Sequence, residues 1–453
     1  MTPDLLAERL ARIVGQEHVV AGESCARYAV DGKAPKAAAF PTTVEELSEV
    51  MKVAASERLS VVPWGSGTKI GLGNILERLD LVVGLARLNR ILDHEPADLT
   101  ATFQGGARLR EVQTHLGQKG QFLSLDPPFA RTATIGGILA TNSSGPRRLR
   151  YGAARDLLIG IRVVHADGKI TKGGAKVVKN VTGYDMNKLY IGSLGTLGII
   201  VEATFKIYPL PAVEQTWLAS FPTGEAALSA VAQILDSTVV PSSLEILSPS
   251  AARSVAGQSG LSLPQECVAL ASSVGSVPEA VDSQIAAIKR ICEQRGSRGG
   301  FPLDGSPQET LWAAIVDFPS ANGTGEAVAT LKASVLPTRV IGTIRSAEEI
   351  ARTAGVESAA ISEAGSGIVR LHWSGDAGSN EATASAIANG VEALRKSIVK
   401  DGGSLVVLAA PLAVKAHLDV WGPVGNALSL MQALKQQFDP QKVLNPGRFV
   451  GGI

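Results

Sequence analysis

DPPFARTATIGGILATNSSGPRRLRYG, residues 126–152, and KNVTGYDMNKLYIGSLGTLGIIVEATFKIYPLP, residues 179–211, decide how this chain is read. Gly136, Gly137, Gly145, Gly152, Gly183, Gly192, Gly195 and Gly198 recur there between short apolar runs. Glycines so placed turn the chain or let its backbone approach something closely. They are flanked by Thr, Ser and Asn, which offer small hydrogen-bonding groups. A backbone cradle for a large polyanionic cofactor explains the combination. A set of tight strand turns in a twisted sheet is the competing explanation.

Around this stretch, bulk properties set limits. The chain has 453 residues, which predicts two or three domains. It is 45% hydrophobic and 19% charged with 48 glycines, the composition of a folded, loop-rich protein. A net charge of +1 gives no bulk electrostatic case for binding nucleic acid. Cys25, Cys267 and Cys292 are scattered and form no CxxC, so neither an iron–sulfur cluster nor a disulfide framework is expected. No apolar run reaches the roughly 18 residues of a membrane span. The opening MTPDLLAERLARIVG lacks the apolar core of a signal peptide. A cytoplasmic protein, or one peripheral to the membrane through a partner complex, is expected.

Before the cradle, residues 4–14 predict an amphipathic helix with Leu6, Leu10 and Ile13 on one face. Thr43 caps a second helix, with Glu46 at the capping-box spacing. Strands are expected at 59–62, ending at Pro63, and at 79–83, 100–103 and 199–208, with a helix at 108–116. Asp167-Gly168 marks a hairpin between strands at 157–165 and 169–171. PWGSGTKIGLG, residues 63–73, has GxGxxxG spacing, which is neither the dinucleotide fingerprint nor a P-loop. Its successive N–H groups and hydroxyls suit a pyrophosphate or an ordinary tight turn equally. Residues 213–420 are alanine-rich and read as βαββαβ twice, which predicts two fused ferredoxin-like halves. The fourth strand of the first half is placed at 311–318, on the apolar run LWAAIVDF. A helix at 427–437 and a compact tail follow. No histidine pair has metal-ligand spacing, so no metal site is expected.

PWGSGT (63–68), DPPFARTATIGGILATNSSG (126–145), RYG (150–152), VKNVTGYDMNKLYIGSLGTLGII (178–200) and FDPQKVLNPGRF (438–449) together resemble the FAD-linked oxidases of the vanillyl-alcohol-oxidase, or PCMH-type, fold. Within it the chain resembles the glycolate oxidase and D-lactate dehydrogenase group, the E subunit of glycolate oxidase most. The resemblance implies an α+β fold. A two-subdomain PCMH-type FAD-binding domain (1–211, subdomains about 36–95 and 96–211) precedes a cap of two ferredoxin-like halves (212–420), and a helix and tail (421–453) pack back on the FAD domain. It implies that Pro63, Trp64, Gly65, Ser66, Gly67, Thr68 and Lys69 wrap the pyrophosphate. Asp126 and Pro127 open the cradle, and Thr134, Gly136 and Gly137 lie along the cofactor. Asn142, Ser144 and Gly145 stand behind it, while Gly195, Gly198 and Ile200 close the other side. Some relatives hold flavin through a histidine or cysteine. Neither 63–73 nor 126–150 contains one, which predicts non-covalent FAD.

Three functions follow from the resemblance. The first is an FAD-binding subunit acting on a 2-hydroxy acid such as glycolate or D-lactate, dependent on a catalytic flavoprotein subunit and an iron–sulfur electron-transfer subunit. The second is a self-sufficient FAD-dependent dehydrogenase or oxidase of a small hydroxy acid or alcohol. The third is a non-catalytic flavin-binding subunit. Basic cap residues hold the substrate carboxylate in catalytic members of the group, which makes Lys332, Arg339 and Arg370 candidates. Those members also carry GHxGDGNxH and EHGxG in the cap, whose side chains bind metal or poise a base. This chain reads RLHWSGDAGSN at 370–380 and AHLDVWGPVGN at 416–426. Only His372 and Asp376 remain as remnants, which favours the partner-dependent reading. His372 or Tyr184 is the expected base if the chain works alone. Arg147, Arg148 and Arg150 are expected to meet an acidic partner, FAD phosphates or water.

Overall fold

The computed structural model describes residues 2–175, 184–264, 266–318, 327–375 and 381–453. Gly183 and Asp376 therefore lie outside the described residues. The chain forms two compact units. The first comprises Met1–Ser144, Gly152–Leu210 and Pro423–Ile453, and the second Gly145–Tyr151 and Pro211–Gly422.

In the first unit, the helix Pro3–Val14 starts at the Thr2 cap and buries Leu6, Leu10 and Val14, spaced four apart on one face. The helix Val44–Ser56 starts at Thr43, whose Oγ1 accepts from the Glu46 N–H at 3.0 Å. The return bond differs from a capping box, since Glu46 Oε2 accepts from the Thr42 N–H. Both helices pack on a four-stranded sheet of β1 (Val19–Ala21), β2 (Ala37–Ala39), β3 (Val61–Trp64) and β4 (Leu81–Gly84), in the order β1-β2-β4-β3. β3 runs through Pro63 rather than stopping there. It pairs with β4 on one side, and on the other with the tail, where Val61 bridges Leu444.

A five-stranded antiparallel sheet follows, ordered β5 (Ile91–Glu95), β6 (Thr100–Gln104), β10 (Ile199–Lys206), β8 (Leu158–Val164) and β9 (Ile170–Gly174). β8 and β9 form the expected hairpin. β7 (Gln121–Phe122) pairs with β11 (Tyr208–Pro209). The helices Leu109–Gly117 and Ile135–Thr141 bury Leu109, Val112, Leu116, Ile135, Ile138 and Leu139 in one core with Phe103 and Phe205.

The second unit is built on one eight-stranded antiparallel sheet. Its strands are β12 (Val213–Phe221), β13 (Ser243–Leu247), β14 (Val268–Ser276), β15 (Gly299–Leu303), β16 (Ala327–Ser334), β17 (Glu357–Glu363), β18 (Ile368–Ser374) and β19 (Ser404–Ala409). The order is β15-β12-β14-β13-β17-β18-β16-β19. Each half has its strands in the ferredoxin-like order, fourth-first-third-second, and the two second strands, β13 and β17, join the halves.

One expected strand is wrong. Residues 305–316 form a helix, Gly305–Val316, and the fourth strand of that half is β15. Gln308, Leu311, Ala314 and Ile315 are its buried residues, a 3.6-residue period hidden inside an apolar run. With the unanticipated helix Pro249–Ser259 it covers part of one sheet face, through Leu247, Ala271 and Ile361. The helices Gly224–Leu235, Pro278–Gln294, Val340–Thr353 and Glu381–Lys400 cover the other.

Candidate functional site

In the first unit, β3 leads into residues 65–69, which turn against the start of the helix Ile135–Thr141. Thr134 caps that helix and is buried. The approach is so close that a Cβ on Gly65 would lie 2.2 Å from Thr134 Oγ1. Gly67 has φ +77°, and a Cβ there would meet the Trp64 ring at 2.7 Å. Both positions therefore require glycine. Between loop and helix lies a hollow of about 640 Å3, part of it open to solvent. Pro63, Gly65, Ser66, Gly67, Thr68 and Lys69 line one side, and Pro127, Thr134, Gly137, Ile138 and Thr141 the other. Consecutive N–H groups, the hydroxyls of Ser66, Thr68, Thr134 and Thr141 and an ammonium suit phosphate oxygens, and the small side chains admit a flat ring.

The tail supplies what the sequence reading left out of the site. Asn445 and Arg448 line the same hollow. The Arg448 guanidinium is buried and donates to the carbonyls of Ile70 and, at 2.6 Å, Leu72. Asn445 Nδ2 donates to the Leu194 carbonyl, and Leu194 also lines the hollow. Beneath them the buried Lys435 ammonium donates to Asp439 at 2.7 Å and to the carbonyls of Thr196 and Leu444. Asp439 in turn accepts from the N–H groups of Val443 and Leu444. The tail thus holds the 65–73 loop and the 192–197 turn in one arrangement.

Several expected cradle residues lie elsewhere. Trp64 stacks edge-on against Tyr28 behind the loop. Gly136 is buried, its N–H given to the Gly105 carbonyl at 2.7 Å, so it serves helix–strand packing. Asn142 is the left-handed C-cap of the helix, with φ 47°. Gly198 and Ile200 are buried, Ile200 in β10, and Gly195 sits in the turn beside Asn445. Asp126, Ser144, Gly195, Gly198 and Ile200 are not among the residues lining the hollow. Gly145 belongs to the second unit, although the sequence placed it in the first. The arginines beside it are tied to that unit: Arg147 pairs with Glu214 at 2.9 Å, Arg148 with Glu363 at 3.8 Å, and Arg150 donates to the Gly275 carbonyl.

The second unit carries a charged patch on the sheet face opposite its larger core. Lys332 on β16 and Arg370 on β18 are cross-strand partners, and Ala359 on β17 faces His372. Arg370 is 8% exposed; its Nη1 donates to the Val316 carbonyl at 3.0 Å. Its Nε and Nη2, the side-on edge of the guanidinium, have no hydrogen-bond partner among the described residues. Glu363 is 5% exposed, and its Oε2 accepts no hydrogen bond among them. Burial pushes the Glu363 carboxyl up, against the pull of Arg370, Arg148 and Lys332. Burial pushes Lys332 down; Glu363 opposes this, and Arg148 and Arg370 add to it. Burial holds His372 down at about 4, so it is neutral at pH 7. Arg339 does not join this patch: it is exposed and pairs with Asp401 at 3.5 Å. Tyr184 is 94% exposed, which removes the enclosed setting a base needs. Among the described residues no cluster of metal-ligating side chains occurs. No helix among them is long and apolar enough to cross a membrane.

An α+β unit with a glycine loop, a short capped helix and a hollow between them, followed by a large antiparallel cap sheet, defines a flavoprotein oxidoreductase. The chain belongs to the PCMH-type FAD-linked oxidases, in the glycolate oxidase/D-lactate dehydrogenase family. The FAD binding domain model matches residues 35–174, and the model of the FAD linked oxidases' C-terminal domain matches 210–406 and 421–449. The chain is similar to the glycolate oxidase subunit GlcD of Bacillus subtilis, 29% identical over 91% of this chain and 88% of that protein. It is similar to the D-lactate dehydrogenase of Archaeoglobus fulgidus, 28% identical over 90% of each. Among solved structures, p-cresol methylhydroxylase shares the fold, with TM-score 0.77, 17% identity and coverage of 98% of this chain and 96% of that one. These matches support the family and not a particular subunit. The chain is an FAD-dependent oxidoreductase, and it binds FAD non-covalently through the first unit. The residues present fit that cofactor: the hollow has a row of donors for phosphate, and its lining includes neither histidine nor cysteine.

Proposed function

We propose that this chain is a self-contained FAD-dependent dehydrogenase of a small 2-hydroxy acid such as glycolate or D-lactate. The observation that carries the reading is the buried side-on edge of Arg370 beside Lys332, a fork shaped for one carboxylate that has no hydrogen-bond partner among the described residues. Relatives matched over nine-tenths of the chain, the D-lactate dehydrogenase among them, support it. When bound, FAD supplies the hydride acceptor. Arg370 and Lys332 hold the carboxylate, and burial keeps His372 on the same strand neutral.

The sequence favoured the other reading, a subunit that works only beside a catalytic flavoprotein and an iron–sulfur partner. Its support is the lost GHxGDGNxH pattern together with the lack of a metal-ligating cluster among the described residues. The D-lactate dehydrogenase, matched over 90% of each chain, weighs more toward the self-contained enzyme. Anaerobic mixing of the FAD-loaded chain alone with glycolate and with D-lactate decides between them. Bleaching of the flavin at a catalytic rate is expected; bleaching only after a separate catalytic subunit is added would establish partner dependence.

A further inference from the structure

Two buried groups in the second unit have side-chain atoms without a hydrogen-bond partner among the described residues, although Arg148 stands 3.8 Å from the Glu363 carboxylate. The Nε and Nη2 donors of Arg370 point to no acceptor, and Oε2 of Glu363 receives no donor, among the described residues. The two side chains do not satisfy each other, although both stand on one sheet face. Arg370 is opposite Ile361, and Glu363 is opposite Ile368, so the pair is diagonal across β17 and β18. Diagonal neighbours lie ~7–8 Å apart at the backbone, within reach of one small ligand between two long side chains. Leaving such groups unsatisfied is costly, more so when they are charged. The fold tolerates this because Arg148 and Lys332 stand around Glu363, and because Arg370 keeps one bond, to Val316. Glu245 lies opposite Glu363 across β13 and β17 and has contacts of its own.

The missing partners describe a molecule: a planar bidentate acceptor beside a single hydroxyl donor. That is a 2-hydroxy carboxylate, in which carboxylate and hydroxyl sit on adjacent carbons. Resting on the reading above, we infer that Glu363 is a specificity residue, accepting the substrate's 2-hydroxyl while Arg370 clasps its carboxylate. A 2-oxo acid has the carboxylate but no proton to donate. Its keto oxygen would face the Glu363 oxygen, so the oxidised product is held less well than the substrate and leaves. Glu363 thus separates the two by a hydrogen bond that exists on only one side of the reaction.

Calorimetric titration of the FAD-loaded full chain under anaerobic conditions, with D-lactate on pre-reduced flavin, pyruvate on oxidised flavin and propionate on both as the common reference, tests this without turnover. Wild-type protein should bind D-lactate roughly tenfold or more tightly than pyruvate or propionate, the worth of one hydrogen bond to a charged group. In Glu363→Gln the amide can donate to the keto oxygen, so the lactate-to-pyruvate ratio should fall toward one or invert. Glu363→Asp, which keeps the charge on a shorter arm, should weaken D-lactate without gaining pyruvate. Arg370→Lys should weaken all three acids together. An unchanged lactate-to-pyruvate ratio in folded Glu363→Gln, with flavin still bleached by D-lactate, would overturn the role of Glu363 alone. No binding of any acid and no bleaching would overturn the hydroxy-acid reading beneath it as well.

Discussion

His372 shows how one buried ring couples pH to stability. Its pKa is held at about 4 in the fold by burial against an ordinary 6.5, and its ring lies edge-on to Phe318. Between those values the unfolded chain binds the proton and the folded one does not. This stability is therefore complete above pH 6.5 and is lost as pH falls toward 4. At pH 5 the loss from this one group is ~2 kcal/mol. In His372→Gln, the difference between urea unfolding free energies at pH 7 and pH 5 should shrink by about that amount; an equal difference in both proteins would show that the ring titrates normally. Arg370 and Glu363, on the two strands that flank one turn, are buried as well. Glu245 in SLEIL and Glu363 in AAISE are charged residues in strand runs otherwise apolar, a signal that the sequence reading passed over.

At the scale of elements, the tail is the part whose importance exceeds its length. Arg448 gives two bonds to carbonyls of the 65–73 loop. Arg448→Met keeps the bulk and removes both, so FAD affinity should fall about tenfold or more, from the loss of ~1 kcal/mol per bond. Quenching of flavin fluorescence on titration measures it, and unaltered affinity would show that the loop holds its shape unaided. Much of the element pattern is legible in the order of residues alone. Thr43 and its helix, the hairpin at Asp167-Gly168 and the double βαββαβ order follow from local signals. The helix Gly305–Val316 is misread as strand because its apolar residues run on without polar punctuation, so length and period disagree. The helix Ile135–Thr141 is hidden by its glycines, which argue against helix in isolation; Thr134 capping and packing on β10 override that. In the site, the loop 63–69 is readable from its composition. Asn445 and Arg448 are not, because what places them is pairing between β3 and a segment far along the chain.

For the whole molecule, cofactor retention depends on shape and hydrogen bonds alone, since the hollow is lined by neither histidine nor cysteine. Acid precipitation of the holoprotein should release all of its flavin into the supernatant, read by absorbance; flavin left in the pellet would reveal a covalent link. The flavin unit is also discontinuous: Met1–Ser144 and Gly152–Leu210 wait for Pro423–Ile453. During synthesis at roughly 5–20 residues per second, the intervening Pro211–Gly422 occupies the ribosome for on the order of 10–40 s. Throughout that interval β3 lacks its tail neighbour Leu444, and the glycine loop lacks its bonds from Arg448. Tight flavin capture is therefore expected late in the life of each new chain, after the tail has been translated, and the edge of β3 that the tail covers stays bare until then.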